Sequence, residues 1–298
     1  MHIAVIGGGF VGKATASISS QGINVFIYDI DKSKCSPQDV NITLDDVLDP
    51  LIDIIFICLP TPYDPQTGIC LTSIIDDFLK NLLQLGKSKN MLKETILKKI
   101  VMRSTVPPTL CEYHNISNMP EFLTEKNPIG TFKQTNIWIV GLSDNGQNEY
   151  IKQKISSMIN LAYSNNVIES NKLFFCNTRE SALIKLGRNS FLATKVSFFN
   201  ELYDISESFN VDPSIVSCGI GLDPRIGLSH TLVPGHDCFR GFGGICFPKD
   251  LNNLITSAKE NNVNPIILSA VNERNKIDRP ESAKSIDIIE GRSIINKN

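Results

Sequence analysis

A glycine-rich turn between an apolar strand and a helix is the feature that most constrains the fold. Residues 3–6 form an apolar run that predicts a buried strand, and residues 7–12 follow it as Gly-Gly-Gly-Phe-Val-Gly. Glycines at this spacing serve a tight turn, the approach of a pyrophosphate and the packing of the helix on the strand. The turn therefore predicts a β-α-β unit that binds a dinucleotide through Gly7, Gly9, Phe10, Val11 and Gly12.

An acidic residue follows the second predicted strand, residues 24–28. Asp29 lies 17 residues after Gly12. A carboxylate at this position accepts hydrogen bonds from the adenosine ribose and repels a 2′-phosphate, which favours NAD over NADP. The alternative is a glycine-rich turn in a domain that binds no dinucleotide, and the presence of strand, helix and acid together speaks against it.

The rest of the chain divides into an alternating part and a helical part. Short apolar runs predict strands at residues 54–58, 100–102 and 137–140, and helices fit at residues 71–85 and 146–161. Residues 180–210 then predict a long helix that is apolar on nearly all faces and must be covered on all sides. We expect an α/β fold, a Rossmann-like doubly wound parallel sheet (residues 1–178), followed by an all-helical dimerisation domain (residues 179–298). Two further helices are predicted at residues 250–261 and 265–276.

Composition and charge narrow the class of protein. The 298 residues carry a net charge of −2 and no basic run, which argues against nucleic acid as a partner. The eight cysteines form no Cys-x-x-Cys pair and the four histidines show no metal-ligand spacing. No apolar run has the length of a membrane span and no leader precedes the first strand, so we expect a reduced, cytoplasmic protein that holds no metal.

A cysteine motif occupies residues 243–250, which read Gly-Gly-Ile-Cys-Phe-Pro-Lys-Asp. Pro248 suits the first turn of a helix, which would leave Cys246 just outside the N-terminus of that helix. The helix N-terminus and Lys249 should both lower the pKa of Cys246, as reactive cysteines require. Cys246 is the candidate nucleophile; the alternative, a buried cysteine that packs as a small hydrophobe, is not excluded by the motif alone.

Seven motifs in one order resemble the UDP-glucose/GDP-mannose dehydrogenase family. They are GGGFVG at 7–12, CLPTP at 58–62, RSTVP at 103–107, PEFLTE at 120–125, Lys185 and Asn189 leading into ATKVSFFNE at 193–201, DPRIG at 223–227, and GFGGICFPKD at 241–250. The resemblance implies an NAD-dependent enzyme that oxidises the C6 hydroxyl of a nucleotide sugar, by default UDP-glucose, to a uronate for polysaccharide biosynthesis. Cys246 would capture the C6 aldehyde as a thiohemiacetal, and water would cleave the thioester formed from it.

The same resemblance assigns roles to further residues. Lys185 and Asn189 lie four apart on the long predicted helix, so they share a face and could hold an oxyanion. The general base is left open among Asp250, Lys185, Glu121 and Glu125. The resemblance implies that Thr105, Glu121 and Glu125 position substrate and water. It implies that the cofactor is contacted by Thr61, Thr105, Glu125 and Lys249. Residues implied to contact substrate are Phe122, Leu123, Phe242, Gly243, Gly244 and, from a neighbouring subunit, Arg225.

Two departures from the family pattern are visible. Only 24 residues separate Asp29 from Ile54, which indicates a compact first domain. The sequence stops at Asn298, where long members continue into a nucleotide-binding domain, so we expect a short form. Two alternatives stay open: a β-hydroxyacid or 6-phosphogluconate-type dehydrogenase, which needs no nucleophilic cysteine, and a catalytically inactive dinucleotide-binding relative.

Overall fold

The chain divides into two compact units. The computed structural model describes residues 1–64, 67–124, 126–144, 148–244 and 246–280. Met1–Thr61 and Thr72–Lys185 form one unit, here the N-terminal unit, and Pro62–Leu71 with Leu186–Asn298 form the C-terminal unit. The division lies seven residues beyond the predicted boundary between residues 178 and 179. The predicted roles of the two domains stay predictions.

A seven-stranded sheet forms the centre of the N-terminal unit. Its strands are β1 (His2–Ile6), β2 (Asn24–Tyr28), β3 (Ile52–Ile57), β4 (Ile100–Met102), β5 (Ser117–Asn118), β6 (Trp138–Leu142) and β7 (Leu173–Asn177). The strand order is β2-β1-β3-β4-β5-β6-β7. All neighbouring pairs are parallel except β5 and β6, which pair antiparallel at Asn118 and Gly141.

Both faces of this sheet are covered. Ile3 and Val5 of β1 belong to one buried cluster, and Ala4 and Ile6 belong to the other. Alternate residues of a strand point to opposite faces, so a strand between two helical layers must be apolar throughout. The helices of this unit are α1 (Phe10–Ala16), α2 (Leu44–Val47), α3 (Ser73–Ser88), α4 (Lys93–Leu97), α5 (Leu110–His114), α6 (Pro128–Lys133) and α7 (Asn148–Ser164), followed by the first turns of α8 (Thr178–Ser208). The predicted Rossmann-like α/β fold is confirmed.

The sheet differs from the expectation in one strand direction and in two added strands. A parallel neighbour requires a crossover of a dozen or more residues, usually a helix that packs on the sheet. Between β5 and β6 the described residues, 119–124 and 126–137, contain one helix, the six-residue α6, which contacts α1, and the strand that follows runs antiparallel to β5. Strands β5 and β7 were not predicted, because β5 has two residues and β7 is half exposed.

The described part of the C-terminal unit is helical. It contains the rest of α8, then α9 (Pro213–Gly221), α10 (Phe247–Glu260) and α11 (Ile266–Asp278). An isolated bridge between Tyr63 and Cys70 pairs the two ends of segment 62–71, and a hydrogen bond from Thr256 of α10 to the carbonyl oxygen of Gly68 joins the segment to the rest of this unit. A small apolar cluster, centred on Leu251 and Phe242, packs α10 against α8 and α11.

Helix α8 has two different faces. Asn189, Ser197 and Asn200 are buried, whereas Phe191, Phe198 and Ile205 are exposed by 68%, 58% and 46%. The three exposed residues repeat every seven positions, the spacing of a helix–helix seam. The predicted helix is therefore apolar toward the outside and partly polar toward the inside. Within the described residues, no helix is long and apolar enough to cross a membrane.

Two glycine-to-alanine substitutions should change stability in opposite directions. A Cβ on Gly141 would lie 1.9 Å from Asn118 Oδ1 and 2.7 Å from the Ser181 Cβ, so Gly141→Ala should lower the free energy of unfolding by about 1–3 kcal/mol. A Cβ on Gly187, inside α8, meets nothing within 4 Å. Gly187→Ala should therefore raise the free energy of unfolding by about 0.5–1 kcal/mol through helix propensity. Urea denaturation of the ligand-free protein measures both, and equal effects of the two changes would contradict the difference in packing at the two glycines.

Candidate active site

The turn after β1 can be built only from glycine at two positions. Gly7 has φ of 99°, and its N–H donates to the carbonyl oxygen of Tyr28 at 2.8 Å. A Cβ on Gly7 would lie 2.6 Å from the carbonyl oxygen of Cys58, and one on Gly12 would lie 1.8 Å from that of Gly7. The first and third glycines of the motif thus allow the turn and the close packing of α1.

The middle glycine and the acid leave room for a ligand. A Cβ on Gly9, the N-cap of α1, meets nothing within 4 Å, so the chain leaves open space beside this helix N-terminus. Asp29, 8% exposed, accepts hydrogen bonds from the N–H groups of Gly8 (2.7 Å) and Asp31 (2.8 Å). A carboxylate has about four acceptor positions, so it can also accept ribose hydroxyls. Phe10 and Val11 are the first residues of α1 and lie beside this space. Gly9, Asp29, Phe10 and Val11 fit the adenosine and pyrophosphate parts of NAD.

Thr61 and Thr105, predicted near the nicotinamide, are brought together. The Thr61 hydroxyl donates to the carbonyl oxygen of Thr105 at 2.8 Å, and the Ser104 hydroxyl donates to that of Leu59 at 2.6 Å. These residues follow the carboxyl ends of β3 and β4, where open α/β sheets bind ligands. The two threonines therefore lie at the expected edge of the sheet.

A buried ion pair joins the loop after β5 to α8. Lys185 Nζ lies 3.0 Å from Glu121 Oε1, and the two side chains are exposed by only 3% and 5%. The other oxygen, Oε2, accepts from the N–H of Leu123 at 2.6 Å, and Lys185 Nζ lies 5.5 Å from the centre of the Phe122 ring. Four predicted site residues thus form one cluster. Glu125, also predicted here, lies outside the described residues.

Arg103 supports this cluster, although the sequence motifs assigned it no role. It is 2% exposed, and its guanidinium donates to the Thr15 hydroxyl at 3.3 Å and to the carbonyl oxygen of Met119 at 3.0 Å. Burial lowers the pKa of Arg103, while the electrostatic effects of Cys58 and Glu121 act in the opposite direction. This cation connects α1 with the backbone two residues before Glu121. Arg103 is the first residue of the RSTVP motif, so the sequence marked its position without giving its role.

In the C-terminal unit, Cys246 occupies the N-cap of α10. The helix begins at Phe247, with Pro248 in its first turn, and the N–H of Asp250 donates to the carbonyl oxygen of Cys246 at 2.9 Å. The predicted helix over residues 250–261 thus starts three residues earlier. A thiol at this position lies next to the unpaired N–H groups of the first turn, which stabilise a thiolate.

Polar residues beside Cys246 form a buried network. Asn189 Nδ2 donates to Asp250 Oδ2 at 2.6 Å, and Lys249 Nζ lies 3.1 Å from Asp250 Oδ1. Burial by itself would lower the pKa of Lys249, but the nearby Asp250 carboxylate and the electrostatic effects of Cys70 and Cys246 outweigh it, and the pKa lies above its ordinary value. Lys249 therefore remains an ammonium close to the nucleophile.

Cys70 is a neighbour that the sequence motifs did not identify. It belongs to segment 62–71 and is 8% exposed. Burial raises the pKa of Cys70, and Asp250 adds to this effect while Lys249 opposes it. Cys70 is therefore a protonated thiol near the Lys249–Asp250 pair. No motif marked it, because the segment is distant from α10 in sequence.

The remaining predicted substrate residues are Arg225, Phe242, Gly243 and Gly244. Arg225 is 87% exposed at its side chain and pairs with Asp223 at 2.6 Å. Phe242 is 4% exposed in the apolar cluster with Leu251. Gly243 and Gly244 follow it, and Gly244 has φ of 76°.

Comparison with known proteins identifies the family. The central-domain model of the UDP-glucose/GDP-mannose dehydrogenase family matches residues 179–277. A UDP-glucose 6-dehydrogenase from Rickettsia prowazekii is 31% identical over 98% of this chain and 70% of its own length. The chain belongs to the UDP-glucose/GDP-mannose dehydrogenase family. This family consists of NAD-dependent nucleotide-sugar dehydrogenases, so the predicted enzyme class and cofactor are confirmed.

Solved structures of the family and of another dehydrogenase share the fold. A UDP-glucose dehydrogenase from Pyrobaculum islandicum gives a TM-score of 0.72 at 23% identity, covering 93% of this chain and 68% of its own. A 3-hydroxyisobutyrate dehydrogenase from Mycobacterium tuberculosis gives 0.61 at 15% identity, covering 95% of this chain and 97% of its own. The fold alone therefore does not separate this family from the β-hydroxyacid dehydrogenases.

The position of Asp29 predicts a preference for NAD⁺ over NADP⁺. A 2′-phosphate would face a like charge in a mostly buried place, so Asp29→Asn should reduce the NAD⁺/NADP⁺ ratio of kcat/KM at least tenfold, or about 1.4 kcal/mol. Asp31→Asn, which alters an exposed carboxylate two residues away, is the control and should leave the ratio nearly unchanged. Equal kcat/KM of the unmodified enzyme for both cofactors would remove this role from Asp29.

The surroundings of the cysteines predict which thiol reacts first. Burial raises the pKa of Cys58 and of Cys111 to about 12, so their thiolate fraction near neutral pH is negligible. Cys246, at a helix N-terminus beside Lys249, should be alkylated by iodoacetamide at pH 6.5 faster than the more exposed Cys218 and Cys238. Peptide mapping by mass spectrometry gives each rate, and slower reaction of Cys246 than of Cys218 at every pH would contradict the expectation.

Proposed function

We propose that this enzyme oxidises the C6 hydroxyl of UDP-glucose to the uronate in two successive two-electron steps through a covalent adduct on Cys246. The observation that carries the proposal is Cys246 at the N-cap of α10, with Lys249 and Asp250 in the first turn. The substrate follows from relatives such as the UDP-glucose 6-dehydrogenase of Rickettsia prowazekii. The whole reaction converts the alcohol, two NAD⁺ and one water to the carboxylate, two NADH and three protons.

Bound NAD⁺ supplies the hydride acceptor, and the chain's own residues handle protons and the acyl group. In the first oxidation the C6 hydroxyl loses its proton to a base, which is proposed to be Asp250, Lys185 or Glu121 among the described residues. The Cys246 thiolate then adds to the aldehyde carbon, and the resulting thiohemiacetal keeps the aldehyde on the enzyme. Loss of a second hydride gives a thioester.

Hydrolysis of the thioester completes the reaction. Water adds to the acyl carbon, the C–S bond breaks, and the electron pair returns to Cys246 as a thiolate. Lys185 and Asn189 are proposed to hold the oxyanions of these steps. An ammonium and a carboxamide both donate N–H groups, which is what a developing oxyanion requires.

The number of electrons separates this proposal from a β-hydroxyacid-type activity. The structural similarity to a 3-hydroxyisobutyrate dehydrogenase is the reason to test that alternative. A two-electron enzyme forms one NADH per substrate and does not depend on a thiol. The direct experiment is to count NADH with UDP-glucose, UDP-N-acetylglucosamine, UDP-N-acetylmannosamine and GDP-mannose, each at limiting concentration, and two NADH per sugar supports the proposal.

Substitutions of Cys246 test its covalent role. Cys246→Ala should reduce uronate formation at least a thousandfold, because the aldehyde is no longer captured, while NAD⁺ binding stays unchanged. Cys246→Ser can still form an oxygen ester, which water cleaves more slowly than a thioester, so the adduct should appear as a mass increase of the intact protein. Cys218→Ser, at an exposed cysteine, is the matched control. Normal turnover of either Cys246 variant would show that this cysteine is structural.

We further propose that the enzyme is a homodimer whose subunits meet along Phe191, Phe198 and Ile205 of α8. An exposed apolar seam with seven-residue spacing suits a second helix of the same kind. Phe198→Glu should shift the sedimentation coefficient from dimer to monomer at micromolar concentration. Tyr113→Glu, at an aromatic residue of the N-terminal unit that is 80% exposed, should not. A monomeric unmodified protein would refute the dimer and also a cross-subunit role of Arg225.

A further inference from the structure

The segment that carries Cys246 is held at both of its ends. Phe242 is 4% exposed in the apolar cluster with Leu251 and Val271, and Phe247 packs against the same cluster. The two phenylalanine rings contact edge to face, with centres 6.3 Å apart. The described residues 242–244 and 246–247, here the cysteine loop, therefore carry the nucleophile between two apolar anchors in the sequence.

Asn275 of α11 holds the first anchor through the backbone. Its Oδ1 accepts from the N–H of Phe242 at 2.7 Å, and its Nδ2 donates to the carbonyl oxygen of Phe242 at 2.9 Å. One planar carboxamide thus binds both polar backbone groups of a single residue. Two such bonds fix the direction of the peptide planes, whereas one bond would leave rotation free.

Asn200 of α8 holds the residue just before. It is 1% exposed, and its Oδ1 accepts from the N–H of Gly241 at 3.1 Å and from Arg240 Nε at 3.3 Å. Gly241 has φ of 71°, and a Cβ there would lie 2.6 Å from Asn275 Oδ1. Left-handed backbone without a side chain lets both asparagines approach the chain closely.

We infer that Asn275 and Asn200 are positioning residues that fix the path of the cysteine loop and thereby hold the Cys246 thiolate at the N-terminus of α10 beside Lys249. The stabilisation of a thiolate by a helix N-terminus falls off within the first turn, so a small displacement of the loop weakens it. Proximity of the nucleophile to the reacting carbon is equally sensitive to displacement. The catalytic part of this inference rests on the proposed function.

The sequence already contained both residues without indicating what they do. Asn200 is the second-last residue of the motif at 193–201. Asn275 is the last residue of the sequence Asn272-Glu-Arg-Asn275. Asn200 lies 41 positions from Gly241, and Asn275 lies 33 positions from Phe242. Only the fold brings them to the backbone of two consecutive residues, Gly241 and Phe242.

The test uses Asn275→Asp, Asn275→Ala and, as a matched control, Asn272→Ala. Asn275→Asp keeps the shape of the side chain and the acceptor for the Phe242 N–H, but it replaces the donor by an oxygen that faces the Phe242 carbonyl. This variant therefore tests the paired hydrogen bonds even if the alanine variant does not fold. Asn272 is half-buried on the same helix, and its side chain bonds to Asn252 at 3.4 Å instead of the loop. Circular dichroism and thermal unfolding show which variants are folded.

The first readout does not require a substrate. The rate of alkylation of Cys246 by iodoacetamide, followed by peptide mapping between pH 5.5 and 9, gives an apparent thiol pKa. We expect both Asn275 variants to raise it, with the rate at pH 6.5 reduced about fivefold, and Asn272→Ala to leave it unchanged. A folded Asn275 variant with the profile of the unmodified protein would overturn the inference, because a merely structural asparagine changes the unfolding temperature alone.

The second readout separates this inference from the proposed function. With an accepted nucleotide sugar, kcat of the Asn275 variants should fall about tenfold while KM for NAD⁺ stays constant, since the glycine turn and Asp29, proposed to bind the adenosine and pyrophosphate, lie in the N-terminal unit. If no nucleotide sugar is oxidised, the proposed function fails and the alkylation profiles still decide the positioning role. If turnover is normal in a folded Asn275→Asp variant, the positioning role is refuted while the proposed function stands.

Discussion

The need to pair buried polar side chains on α8 determines much of what surrounds this helix. Leaving one buried donor or acceptor without a partner costs about 1–3 kcal/mol. Lys185 pairs with Glu121 in the N-terminal unit, and in the C-terminal unit Asn189 pairs with Asp250 while Asn200 pairs with the backbone at Gly241. A rotation of the helix or a slip by one residue would break all three contacts, so the helix has one register. That register sets the place of the first turn of α10 and of the cysteine loop.

The fold could be predicted from the sequence where periodicity and glycine chemistry act locally. The run at residues 3–6, the glycines after it and Asp29 identified the first β-α-β unit, because each constraint involves neighbours in sequence. Strand β5 could not be found in this way, since two residues carry no period and their pairing with Gly141 depends on the later β6. The division between the two units lies inside α8, which continues through it, so no local feature of the sequence marks that position.

The candidate site shows the same division between local and distant information. Cys246 at a helix N-cap followed from Pro248 and the glycines before it, all within a few positions. The partners of the site residues did not follow: Arg103 reaches Thr15 and Met119 through the interior, and Cys70 acquires its raised pKa from burial and from Asp250. Motifs named residue types that suit a chemistry, but they could not state which donor meets which acceptor. Asn200 was inside a recognised motif and Asn275 was not, and neither had an assignment until the backbone of the cysteine loop was placed.

The membership of segment 62–71 in the C-terminal unit has a consequence for how this chain acquires its structure. The hydrogen bond from Thr256 to Gly68 closes a loop of 188 positions. Contacts of such separation form late, because the entropy of closing the loop is lost before the contact is gained. The C-terminal unit is therefore not a contiguous stretch of polypeptide, and a fragment beginning at residue 186 would lack one of its own parts. During synthesis on a ribosome, residues 62–71 emerge long before α10, so the neighbourhood of Cys246 is completed only after α10 has been synthesised.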